Sequence, residues 1–204
     1  MTAVIGVGGD DLDTIHIDLQ TGSPSFLIVG SPRSGRSTMA VAAAESLRRN
    51  GTELVLIAPQ ASPLWQQAER ARAAFDPSNL NVENLAAATA GPGNLALIID
   101  DAELVQDPDA RQWLKTYLRS ARGNERALIA AGSVEDFGTS VFSGWEIDMK
   151  TNRRGALLSP TATLQGGQIG VSLTRTHLSQ SGIPGRALVN LGDGTIRTIQ
   201  TPLI

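Results

Sequence analysis

The chain has 204 residues, 41% hydrophobic and 18% charged, which is enough apolar material for one domain with additions and too little charge for a disordered tail. The absence of cysteine excludes disulfides and thiolate chemistry, two histidines (His16 and His177) leave little room for zinc, and a net charge of −3 argues against bulk adhesion to nucleic acid. No apolar run approaches the roughly 20 residues that cross a bilayer, and the opening MTAVIGVGGDDLD lacks the basic and apolar regions of a signal peptide, so a soluble globular protein is expected.

Ala3 to Val7 and Thr14 to Leu19 flank the turn Gly8-Gly9-Asp10-Asp11, and the second run alternates apolar with polar, which predicts a hairpin with one buried face. Phe26 to Val29 is continuously apolar, as in a strand buried on both sides. A Gly/Ser/Pro loop follows, then an alanine-rich helix from Thr38 to Arg49 closed by Asn50-Gly51, then a second buried strand at Leu54 to Ala58. Strand, helix, strand in that order favours a parallel sheet with a right-handed crossover.

The alternation continues. Pro63 to Ala74 and Val82 to Ala90 read as helices, Leu95 to Asp100 as a strand, and Asp107-Pro108 as the capped start of a helix through Arg122. Ala127 to Ala131 reads as a fourth buried strand. After Gly132 the text turns glycine-rich, with short strands expected, and Arg186 to Asn190 with Thr195 to Gln200 reads as a closing hairpin through Gly192-Asp193-Gly194. The expected organisation is a single three-layer α/β module with a mainly parallel sheet: an N-terminal hairpin (1–24), a nucleotide-binding core (25–135) and a β-rich extension (136–204), with hairpins added at both ends.

Between the first buried strand and its helix stands Gly30-Ser31-Pro32-Arg33-Ser34-Gly35-Arg36-Ser37-Thr38, which matches G-x-x-x-x-G-K-[ST] at every fixed position except the lysine, replaced by Arg36. Glycines at those positions let consecutive backbone N–H groups wrap a phosphate while the helix points its positive dipole end at it. The candidate ATP- or ADP-binding residues are Gly30, Ser31, Arg33, Ser34, Gly35, Arg36, Ser37 and Thr38, with the Ser37 hydroxyl as a ligand for Mg²⁺. A phosphate loop calls for an acidic strand end, and Leu95 to Ile99 followed by Asp100 and Asp101 has the Walker B pattern, about 65 residues further on. Asp100 takes the metal role and Asp101 that of the catalytic base. Both motifs depart from the usual chemistry. Arg36 brings a wide planar guanidinium where a lysine is a compact charge, and Asp101 is one methylene shorter than the glutamate commonly found there. A misplacement of about 1 Å costs on the order of 10²-fold in rate, so two departures point to weak or absent hydrolysis. Only two of the 17 basic residues are lysines, so a general arginine bias also favours Arg36.

These motifs, with the opening Ile5-Gly6-Val7-Gly8, the segment Ile98 to Leu104, Arg154 to Pro160 and the closing Ile183-Pro184-Gly185-Arg186-Ala187-Leu188 with Leu191-Gly192-Asp193-Gly194, resemble the FtsK/SpoIIIE translocase ATPases. The likeness covers nearly the whole chain and is greatest to the degenerate C-terminal ATPase modules of type VII secretion proteins of the EccC type. It implies a RecA-like fold, assembly with neighbouring ATPase modules or copies in a ring, docking of a secreted protein's signal segment, and a cytoplasmic place at the inner face of the membrane through other parts of the full protein. The chain reads as a complete terminal module or an excised one. An active double-stranded DNA translocase is the alternative, disfavoured by the charge. A small-molecule P-loop kinase is a third reading, and the absence of an arginine-bearing lid speaks against it.

Other residues carry paired readings. Ser133, just past the fourth strand, fits a γ-phosphate sensor and equally a helix cap with Asp136. Arg119, Arg122 and Arg126 fit either an arginine finger or a solvated helix end, and Arg153-Arg154 either a neighbour's phosphate contact or an exposed turn. Trp65, Trp113 and Trp145 are expected in packing or interfaces rather than as a base-stacking platform, and neither histidine has an evident partner.

Overall fold

The computed structural model describes residues 1–9, 12–139, 144–178 and 182–202; the turn residues 10 and 11 lie outside it. The strands are β1 (Thr2–Gly8), β2 (Asp13–Asp18), β3 (Ser25–Gly30), β4 (Glu53–Ile57), β5 (Ala73–Phe75), β6 (Leu95–Ile99), β7 (Arg126–Ser133), β8 (Gly155–Leu158), β9 (Arg186–Asn190) and β10 (Arg197–Gln200), and α2 (Val82–Thr89) and α4 (Asp136–Thr139) are among the helices. Among the described residues one ten-stranded sheet runs in the order β2-β1-β10-β9-β8-β3-β7-β6-β4-β5. From β8 to β5 the pairing is parallel, and from β8 back to β2 it is antiparallel.

The parallel half is buried on both faces because helices cover both. Phe26 and Ile28 of β3 join Leu54, Leu56, Ile98 and Ile129 under helix α1 (Arg36–Arg49). Leu27 and Val29 of the same strand face the other way, toward helix α3 (Pro108–Ala121) and helix α5 (Trp145–Thr151). Successive side chains of a strand point to opposite faces, so a continuous apolar run feeds two cores at once. The alanines of α1 let it lie close on the sheet, with Met39 to Ala44 and Leu47 buried. Asp107 caps α3 as expected, its Oδ1 accepting the Ala110 N–H at 2.8 Å.

Three expectations are corrected. The segment 63–74 is not one helix: a 3₁₀ helix spans Pro63–Arg70, and Ala73 and Ala74 belong to the short edge strand β5. Residues after Gly132 are less strand-rich than expected, since α5 is helical and Trp145 is fully buried in it. Arg154 is no exposed turn. It is 8% exposed, and its guanidinium donates to the Ser23 carbonyl at 2.6 Å and the Asp18 carbonyl at 2.7 Å, closing the segment between β2 and β3; Arg153 beside it is exposed.

The two terminal hairpins are parts of one surface. β1 pairs with β10, and β9 pairs with β8, which lies parallel to β3. Helix α1 fastens the N-terminal hairpin, with Ser46 Oγ accepting the Val4 N–H at 2.9 Å and Asn50 donating to the Thr2 carbonyl at 3.1 Å.

Candidate functional site

Parallel pairing brings the carboxyl ends of β3, β7 and β6 together: Gly30 is opposite Ser133, and Ile99 is opposite Ala130. In open α/β sheets this edge is where ligands bind. The loop after Gly30 joins β3 to α1, as its spacing requires.

Its geometry is set by glycine. Gly35 stands just before α1 at φ 103°, a left-handed value that side chains resist. A Cβ there would fall 2.8 Å from the backbone nitrogen of Gly185, and Gly185 in turn donates its N–H to the Ser34 carbonyl at 2.7 Å. The Pro184-Gly185 turn that leads into β9 is therefore a buttress of the loop. No side chain caps α1, and its first turn holds no acidic residue. An uncapped helix start behind a glycine-rich turn leaves backbone N–H groups open to an anion. Gly30, Ser31, Arg33, Ser34, Gly35, Arg36, Ser37 and Thr38 are thus brought together. The hydroxyl of Ser34 is buried with no hydrogen-bond partner.

The acidic strand end faces this loop. Asp100 is fully buried; its Oδ2 accepts a 2.5 Å hydrogen bond from Ser62, while Oδ1 has no partner. Ser62 opens the 3₁₀ helix after β4 and also accepts the Leu64 N–H at 3.0 Å. Asp101, at φ 49°, reaches the Arg36 guanidinium at 3.3 Å. Burial, then the nearby Asp100 and Glu103 charges, raise its pKa above the ordinary aspartate range, and Arg36 opposes them. Glu103 lies 3.8 Å from the same guanidinium and accepts the Ser133 N–H at 3.1 Å. It also lines a cavity of about 520 Å³ with Arg111, Asp136, Phe137 and Glu146.

Ser133 sits at this edge, and its hydroxyl accepts the N–H groups of Glu135 and Asp136 at 3.3 and 3.4 Å, which is the capping arrangement. The arginines in the last turn of α3 and after it lie elsewhere. Arg126 begins β7 and so stands at the opposite edge of the sheet, where it donates to the Gly91 and Gly93 carbonyls; Arg119 pairs with Asp148 at 3.1 Å, tying α3 to α5. Trp145 packs edge-on against Phe137 and Trp113 stacks on Tyr117, as packing residues do.

Ser62 escaped the sequence reading, and Glu103 and Gly185, part of the segments that carry the family likeness, were given no site role there. Each had a signal: Glu103 follows the acidic pair by two residues, Ser62-Pro63 is a capping dipeptide, and Pro184-Gly185 is a turn.

No family model and no curated protein matches the sequence. Solved structures do. The cytoplasmic domain of the type VII secretion ATPase EccC of Thermomonospora curvata matches the whole chain at TM-score 0.76 and 21% identity. The fold is the α/β fold of P-loop NTPases. EccC ATPases 2 and 3 of the same organism, in complex with a signal sequence peptide, match at 0.73 and 20% over 100% of this chain and 40% of that one. VirB4 of Thermoanaerobacter pseudethanolicus matches at 0.73 and 12%, covering 99% of this chain and 96% of VirB4. The chain spans only 26% of the EccC cytoplasmic domain. None of its described helices is long and apolar enough to cross a membrane.

Proposed function

We propose that the chain is an ATPase-like module of a protein-secretion translocase that binds ATP or ADP with Mg²⁺, hydrolyses it slowly or not at all, and serves regulation or substrate docking. The observation that carries this reading is the uncapped start of α1 behind Gly35, facing Asp100 across the carboxyl edge of the sheet. The backbone from Ser31 to Thr38 would hold the phosphates. The Ser37 hydroxyl would ligate the metal, and the unpartnered Oδ1 of Asp100 would hold it through water. Mg²⁺, when bound, neutralises phosphate charge.

Slow hydrolysis follows from Arg36. Its cation is engaged by Asp101 at 3.3 Å, so the residue in the base position faces a guanidinium. Partners are proposed by likeness to EccC: neighbouring ATPase modules or further copies in a ring, and a secreted protein's signal segment, at the inner face of a membrane to which other parts of the protein bind.

The test is nucleotide titration with and without Mg²⁺, followed by steady-state turnover. Binding with turnover well below roughly 1 s⁻¹, the low end of ordinary enzymes, is expected, and Arg36→Lys with Asp101→Glu should raise it. Faster turnover in the parent overturns the weak-hydrolysis reading. Sub-micromolar binding of a random-sequence duplex with a steep salt dependence would replace the docking role with DNA translocation.

A further inference from the structure

Arg36 is attracted by two carboxylates and hydrogen-bonded to one of them, through Nη2 to Asp101. Asp101 lies at 3.3 Å and Glu103 at 3.8 Å, the latter beyond hydrogen-bond reach. The Arg36 side chain is 11% exposed, and its Nη1 is buried without a hydrogen-bond partner. A buried donor that lacks an acceptor is costly, and more so when it is charged. Arg36 is the first residue of α1, so an anion at the helix start would offer the missing acceptors in a geometry that suits a guanidinium fork.

Glu103 differs from its acidic neighbours in having a second tie. Its Oε2 accepts the N–H of Ser133, the last residue of β7. We propose that Glu103 is a positioning residue that competes with bound phosphate for Arg36 and couples the position of that guanidinium to the end of β7. Phosphate in the loop draws Arg36 away, and Glu103 is left with the Ser133 N–H alone. Removing the Glu103 charge therefore tightens phosphate binding, and it does so through Arg36. This inference rests on reading the loop as a phosphate site.

The experiment is calorimetric titration of the full chain with pyrophosphate and with ATP. Glu103→Gln keeps an acceptor for Ser133 and removes the charge, so pyrophosphate should bind about tenfold tighter. In an Arg36→Ala background the same change should have no effect. In the unsubstituted chain the Ser133 amide resonance should shift on adding pyrophosphate, and in Arg36→Ala it should not; the first of these measurements stands even where a variant fails to fold. Measurable binding with equal affinity in parent and Glu103→Gln overturns the proposal and leaves the phosphate site standing. An equal gain in the Arg36→Ala background also overturns it, since general charge relief would then suffice. Absence of binding to every variant removes the phosphate site and the proposal together.

Discussion

Arg36 and Arg154 are both arginines about nine-tenths buried, and their surroundings differ in kind. Arg154, at the foot of β8, donates to two carbonyls at 2.6 and 2.7 Å, and burial lowers its pKa. Arg36, at the loop edge, has two carboxylates at 3.3 and 3.8 Å. Each arginine has one buried nitrogen without a partner, Nε of Arg154 and Nη1 of Arg36, so the difference lies in the bonds that are made. One cation completes the fold, because the carbonyls it serves would otherwise lack donors. The other makes a single long hydrogen bond to a carboxylate. Short bonds to backbone carbonyls tie Arg154 to the fold, and a long contact leaves Arg36 free to turn to an anion at the sheet edge where ligands bind.

Several substitutions would break or sharpen this contrast. The largest effect is expected for Arg154→Ala, which strands the Ser23 and Asp18 carbonyls. Two charge-assisted bonds lost in a buried place cost about 3 kcal/mol, which lowers Tm by roughly 6–12 °C in a chain of this size. Arg36→Ala should change stability by less than about 1 kcal/mol, because its one long hydrogen bond goes to a carboxylate a third exposed and the change also removes a buried unpartnered nitrogen. Calorimetric melts of both variants check this, and equal losses would erase the distinction.

Gly35→Ala comes next. The left-handed φ of 103° and the approach to the Gly185 backbone at 2.8 Å cannot both persist with a Cβ. A cost of about 2 kcal/mol is expected, together with loss of nucleotide binding. Gly51→Ala, at φ 78° but with open space around it, should cost less than half as much and leave binding intact. The pair of melts and titrations separates backbone strain from loop geometry.

The smallest effect concerns a surface arginine pair. Glu45 bonds Arg48 and Arg49 on α1, and these hydrogen bonds lower its pKa from the usual 4.5 to about 2. A lowered carboxylate pKa contributes stability that is fully present above the unfolded value and lost as pH falls from 4.5 toward 2. Glu45→Gln should therefore cost less than about 1 kcal/mol at neutral pH, as exposed pairs do, and nothing near pH 2. Urea titrations at the two pH values decide it.

The parallel half of the fold was legible in the chain. Leu95 to Ile99 and Ala127 to Ala131 are unbroken apolar runs, and Gly30 to Thr38 has a spacing that chemistry constrains tightly. The helical reading of Ala73 and Ala74 failed because a three-residue edge strand carries too few residues to show a period and is held by its pairing with β4. Helix α5 went unread for a related reason: seven residues give barely two turns, and their helicity depends on Trp145 being buried against α3 and the sheet.

Sequence alone determined the spacing of the Gly30 to Thr38 loop, the places of β3, α1, β4, β6, α3 and β7 along the chain, and the departures at Arg36 and Asp101 from the usual motif residues. These are local properties, written in consecutive residues. Only the tertiary structure decided that β1 pairs with β10, that Gly185 supports Gly35 from 150 residues away in the chain, and that Glu103 stands between Arg36 and Ser133. Contacts of that kind depend on how the sheet is ordered, and order in a sheet is set by burial and pairing of strands distant in sequence, which no local pattern records.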